Sequence, residues 1–192
     1  MTKTLAAYRN FLVAALLNHE QTGSVVPSQR FLIRRMIAPI PQDYRGQVIE
    51  LGPGTGVLTA RLAARCPNAR ILACEINPDL ARNCRRHLAS TGVGRRVKVV
   101  CDSAENLLSE MVRTGAEAPD FVLSGIPLAN IPREKVAELV SAIYRCLKKG
   151  GMYIQFQYSL IDRKTIRSVF PRVRTVPAFL NFPPAFVYFA QK

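Results

Sequence analysis

Three glycines at alternate positions, Gly52, Gly54 and Gly56, punctuate the stretch Val48-Ile-Glu-Leu-Gly-Pro-Gly-Thr-Gly56. Glycine has no side-chain chemistry, but it accepts positive φ and lets a ligand come close to the backbone. Two acids further along could say which ligand. Glu75 ends the apolar run Ile71-Leu-Ala-Cys74, and a carboxylate there can accept from both hydroxyls of a ribose. Asp102 ends the run Val97-Lys-Val-Val-Cys101, where a carboxylate can take the exocyclic amine of adenine. The chemistry this set predicts is the capture of an adenosine-bearing ligand over a glycine turn. The bland alternative is a tight turn with two solvated acids.

The pattern is Gly-x-Gly-x-Gly, not Gly-x-Gly-x-x-Gly, because position 57, where a dinucleotide fingerprint wants glycine, is valine. With an acid ending each of the next two strands, it resembles the S-adenosylmethionine (SAM) site of Rossmann-like methyltransferases. Another adenine nucleotide is the competing reading. The resemblance implies SAM as cofactor and S-adenosylhomocysteine as product. It places the cofactor against Glu50, Gly52, Pro53, Gly54, Thr55 and Gly56, then Glu75 and Ile76, then Asp102, Ser103 and Ala104, with Ser124 at the next strand end.

The elements that must hold these residues alternate regularly. Short apolar runs predict strands at 48–51, 70–75, 97–101, 120–124 and 152–158, with helices at 57–65, 78–91, 103–113 and 132–147 between them. Pro78 and Pro132 stand at helix starts, where a missing N–H costs nothing. This alternation implies parallel strands with helices on both faces. A short helix at 163–169 and two strands, 173–176 and 185–189, close the chain. The fold class is therefore α/β, a Rossmann-like seven-stranded, mostly parallel sheet of the class I methyltransferase kind, with the last strand antiparallel. One domain is expected over 1–192, with an N-terminal helical cap over 1–40 and a catalytic core over 46–192.

Before the core, residues 2–20 read as a helix with Leu5, Tyr8, Leu12, Ala15 and Leu16 on one face. It either docks on the domain over the ligand or lies in lipid headgroups. A loop follows, then a basic helix at 29–37 with Ser28 as its N-cap and Pro39 and Pro41 beyond its end.

The 192 residues carry a net charge of +14, a field that attracts nucleic acid or an anionic membrane surface. From Arg145 to Lys192 nine cations face one acid, Asp162. Five cysteines without close pairs read as reduced thiols of a cytoplasmic protein, and neither they nor the distant His19 and His87 suggest a metal site. No apolar run approaches the ~18 residues of a membrane span.

Four segments together resemble the soluble-type bacterial phospholipid N-methyltransferases, which act on phosphatidylethanolamine. They are Gly23-Ser-Val-Val-Pro-Ser28 with Arg30, Glu50 to Gly56, Ser124-Gly-Ile-Pro-Leu128, and Gln155-Phe-Gln-Tyr158 with Asn181-Phe-Pro-Pro-Ala-Phe-Val-Tyr188. The chain departs from that family at Gln29, where a second serine is frequent, and at Gln157, where threonine is. The resemblance implies a peripheral enzyme on the inner face of the membrane that methylates a phospholipid amine. It gives Tyr158, Asn181, Gly125 and Pro127 as the acceptor pocket, and Tyr8, Ser28, Arg30, Ile126 and Leu128 as substrate contacts. Arg30 is the choice for a headgroup phosphate. Related enzymes methylate ornithine lipids, and ribosomal RNA adenine dimethylases share the core, so RNA is the weaker partner class. The segment after the fourth strand lacks the Asn/Asp-Pro-Pro-Tyr/Phe pattern of adenine amino-methylating enzymes.

Overall fold

A computed structural model of the chain describes residues 27–179 and 184–192, and the side chains of all of these except Pro27 and Ser28. The expected helix at 2–20, with Tyr8, and the turn residue Asn181 lie outside the described residues. The described chain starts with helix α1 (Pro27–Ile37). It then alternates β1 (Gln47–Leu51), α2 (Val57–Arg65), β2 (Arg70–Glu75), α3 (Pro78–Ser90), β3 (Val97–Cys101), α4 (Ala104–Thr114), β4 (Phe121–Ser124), α5 (Arg133–Cys146) and β5 (Met152–Gln157). It closes with α6 (Arg163–Val169), β6 (Arg172–Ala178) and β7 (Ala185–Gln191).

All seven strands form one sheet in the order β3-β2-β1-β4-β5-β7-β6. The first five pair in parallel, and β7 inserts antiparallel between β5 and β6. Since β7 opposes both neighbours, β6 runs with β5. The carboxyl ends of β1 to β6 therefore share one edge, the edge where ligands sit in open α/β sheets.

Alternation along the strands splits the core in two. Val48, Leu123, Ile154 and Val187 pack under α1, α2 and α3 with Leu32, Met36, Leu62 and Leu88. Their chain neighbours Ile49, Val122, Tyr153 and Tyr188 face α4, α5 and α6 with Leu108, Leu139, Ile143 and Phe170. The inner strands are buried on both faces, so their runs read as largely continuous, whereas the edge strands β3 and β6 carry exposed polar residues.

Three details differ from the sequence reading. Helix α1 begins at Pro27, so Ser28 stands inside its first turn instead of capping it. The prolyl φ is already helical, which lets the helix start one position earlier. Strand β6 is longer than 173–176 and includes Pro177, which an edge strand tolerates because one of its sides needs no donor. Single 3₁₀ turns at Gly94–Arg96 and Leu128–Asn130 were not anticipated; a single turn is too short to show a period.

Candidate active site

The chain leaves β1 through the glycine turn, and all three glycines have positive φ. The turn is tied to the next strands by backbone. Gly52 N donates to Cys74 O at 2.9 Å, Gly125 N to Leu51 O at 2.9 Å, and Asp102 N to Glu75 O at 3.1 Å. Each strand end thus passes one more ladder bond to the loop beside it.

Glu75 is the junction of this edge. Its Oε2 accepts from Gly54 N at 3.0 Å and its Oε1 from Asn77 N at 3.0 Å. The side chain of Asn77 then accepts from Asp79 N and Leu80 N and caps α3. Each carboxylate oxygen has a second lone pair left for a ribose hydroxyl. Ile76, next in the chain, is 70% exposed, an apolar plate beside that position. Asp102 is exposed at the end of β3, and its Oδ1 accepts from Ser103 N at 2.7 Å and Asn106 Nδ2 at 3.0 Å. Ser103 caps α4 by accepting from Asn106 N, and Ala104 opens the helix. Pro53 is buried under the turn and Thr55 is half-buried.

Beneath the turn lies an acid the cofactor pattern included for its position alone. Glu50 is 2% exposed, and its Oε2 is buried without a hydrogen-bond partner. Burial pushes its carboxyl up to about 7, against an easing effect of Thr59 on α2, with Glu75 raising it further. Cys84 on α3 joins the same cluster; burial, then the charge of Glu50, pushes its thiol up to about 12. Sequence reading missed Thr59 and Cys84, whose only signal is that helix positions in the α2/α3 layer must face β1.

These residues fit SAM. Nothing stands within 4 Å of where a Cβ at Gly54 would project, so the turn opens onto space. The orphaned oxygen of Glu50 and the carboxylate of Glu75 form an acidic pair suited to a ligand that carries an ammonium and a sulfonium.

The loop expected to border the acceptor follows β4. Gly125 approaches the turn so closely that a Cβ there would lie 2.8 Å from Gly52 O. Ser124 is fully buried, and its hydroxyl accepts from Ile126 N at 3.2 Å, so it shapes this loop. The carbonyl of Ile126 accepts from both Gln155 Nε2, at 3.1 Å, and Gln157 Nε2, at 2.9 Å. Tyr153 Oη donates to Gln155 Oε1 at 2.5 Å. Sequence reading passed over Gln155 and Gln157 as positioning residues; the signal was three polar-tipped residues, Tyr153, Gln155 and Gln157, on one face of a strand otherwise apolar. Pro127 is exposed, whereas Leu128 is fully buried and anchors the loop in the core. On the other face of β5, Tyr158 is half-buried, packs against the α1 side of the core and meets Phe156 edge-on at 5.8 Å. Arg30 is exposed on α1. The structure thus brings Gly125, Ile126, Pro127 and Tyr158 to the edge that holds the glycine turn.

Gly54→Ala strains a φ of 58° in open space, costing about 1 kcal/mol of stability, yet it puts a methyl where the ligand approaches. Calorimetry should show SAM affinity falling at least about tenfold with a melting point lowered by only a few degrees. Unchanged affinity would remove the turn from the site. Glu50→Gln addresses pH. The folded pKa is raised above the free value of 4.5 to about 7, so the stability tied to this group is complete below 4.5 and is lost as pH rises through 7. In cofactor-free protein the substitution should raise the melting point at pH 8 and flatten its decline between pH 4.5 and 7; parallel curves for the two proteins would refute the assignment.

Residues 48–151 match a family model described as a methyltransferase domain. An ornithine lipid N-methyltransferase of Singulisphaera acidiphila is 31% identical over 171 residues, 88% of each chain. Among solved structures, a SAM-dependent methyltransferase from Agrobacterium tumefaciens superposes with a TM-score of 0.70 at 13% identity, over 87% of this chain and 63% of that one. An O-methyltransferase from Bacillus cereus in complex with SAH gives 0.67 at 17% identity, over 95% and 90%. Fold, edge geometry and sequence agree: the chain belongs to the class I SAM-dependent methyltransferases, and SAM is its cofactor.

Proposed function

We propose that this enzyme methylates the amino group of a membrane lipid, with an ornithine-type aminolipid ahead of phosphatidylethanolamine. The observation that carries the reading is the 31% identity, sustained over 88% of both chains, with a protein named for ornithine lipid N-methylation. It favours that headgroup over the phosphatidylethanolamine expected from the sequence motifs, and it leaves Arg30 a phosphate to bind only in the phospholipid case.

The bound cofactor supplies an electrophilic methyl carbon on a positively charged sulfur. What the chain does is position and desolvate the amine that attacks it. A lone pair must be free at attack, so a dry pocket or a nearby acceptor has to hold the amine neutral. The Ile126 carbonyl is not that acceptor, because two glutamine amides already occupy it. The aromatic face of Tyr158, at the end of β5, suits an amine that gains charge as methyl groups accumulate.

The test uses the full chain with methyl-labelled SAM and three acceptors: vesicles doped with ornithine lipid, vesicles doped with phosphatidylethanolamine, and ribosomal RNA. Label should enter the aminolipid, faster for ornithine lipid. Transfer to RNA with none to either lipid would replace this reading with base methylation.

A further inference from the structure

Exposed apolar side chains are distributed unevenly over the molecule. Among the described residues the large exposed hydrophobics are Phe31, Ile76, Val112, Leu160, Ile161 and Phe179. Ile76 is beside the cofactor position and Val112 is alone on α4. Of the remaining four, only Phe31 and Phe179 share a groove. Leu160 and Ile161 follow the end of β5, Phe179 follows the end of β6, and Phe31 of α1 stands beside it. Phe31 and Phe179 are 49% and 75% exposed and wall a groove of about 300 Å³ with Arg35, Val176, Pro177 and Ala178. Two phenyl rings this exposed on one groove mark an interaction surface, since isolated exposure needs no explanation but contiguous exposure does.

Charge identifies the occupant. Helix α1, Pro-Ser-Gln-Arg-Phe-Leu-Ile-Arg-Arg-Met-Ile, holds three arginines and no acid. Arg35 donates to Pro177 O at 2.6 Å, which pins α1 to β6 and fixes the groove. Arg30 and Arg34 are exposed around it. Several cations of the C-terminal cluster serve the fold instead. Lys148 pairs with Asp120, Lys192 donates to Arg145 O and Leu147 O, and Arg174 covers the Phe189 ring. Aromatic side chains flanked by arginine, on the sheet edge that also carries the cofactor turn, match a bilayer surface carrying anionic lipid.

We propose that the α1–β6 face docks on an anionic bilayer, with Phe31 and Phe179 entering the headgroup and acyl boundary and Arg34 held at the phosphate level. Docked this way, the carboxyl edge faces the membrane, and an amine lipid reaches Tyr158 and the loop at Gly125 without leaving the bilayer. The proposal rests on the lipid reading above, but its test does not depend on methyl transfer.

The full chain is sedimented with phosphatidylglycerol–phosphatidylcholine vesicles that contain no amine acceptor. Phe31→Ser combined with Phe179→Ser should weaken binding about tenfold or more, and Arg34→Glu should weaken it at least about fivefold at low salt and less at high salt. Val112→Ser, an equally exposed apolar residue elsewhere, should leave binding unchanged. Melting curves and SAM calorimetry verify that every variant is folded, since the substituted side chains are exposed. Equal vesicle binding by wild type and the Phe double variant overturns the proposal. So does equal loss in the Val112 variant, or binding of wild type to RNA but not to vesicles. If vesicle binding follows the prediction while no lipid is methylated, the docking face stands and the substrate reading fails.

Discussion

The carboxylate of Glu75 is held by two backbone amides, one from the glycine turn after β1 and one from the loop after β2. That pair of bonds couples three things that otherwise have no reason to move together. It fixes Gly54 over the sheet edge, it sets the start of α3 through Asn77, and it holds the carboxylate of Glu75 itself in place. A charge-assisted hydrogen bond to a backbone N–H is among the stronger local contacts available. The turn would otherwise be a glycine-rich segment with much conformational entropy to lose. The chain's own bonds therefore fix the turn, with Glu75 acting as its latch.

The period of two along β5 divides labour in the second half of the site. Tyr153, Gln155 and Gln157 point to the α4–α6 side, and Phe156 and Tyr158 to the α1 side. The glutamine amides hold the Ile126 carbonyl from below, while Ser124 holds the Ile126 amide. Both polar groups of one residue are thus satisfied by buried side chains, and the loop has one geometry. Gly125 sits above the Gly52 carbonyl with no room for a Cβ, so donor turn and acceptor loop are in direct backbone register. Alignment of this kind is what a methyl transfer needs most, because the protein's part in it is positioning rather than covalent chemistry.

Much of this was readable from the residues because local and global signals agree. The strands at 70–75 and 97–101 and the helix at 57–65 have the boundaries their apolar runs imply, since buried parallel strands carry no ambiguity about which face is polar. Glu75 and Asp102 stood out because acids ending apolar runs are conspicuous. The glutamines entered only through the family resemblance, and their hold on Ile126 did not show, since it depends on which strand neighbours which loop. Nor did the groove at Phe31 and Phe179, which joins residues from opposite ends of the chain. Leu128 looked like part of an acceptor loop and is buried, because a single 3₁₀ turn reverses the direction of its side chain into the α5 layer.

Electrostatics explains how one small domain accommodates both partners. The chain carries +14 overall, a field that by itself repels a cationic cofactor. The site answers locally, with Glu50 and Glu75 on the same face of adjacent strands and the first of them so starved of solvation that its carboxyl is raised to about 7. A cationic ligand arriving above the turn stabilises the charged form of that acid and lowers its pKa, so cofactor binding and deprotonation of Glu50 are thermodynamically linked. The same ligand removes the mutual repulsion of the two acids, which partly offsets the surrounding positive potential. Outside the cleft the net charge stays positive despite surface ion pairs, as the proposed docking requires. The two acids answer the cationic methyl donor, while the net positive charge answers the anionic surface proposed for docking.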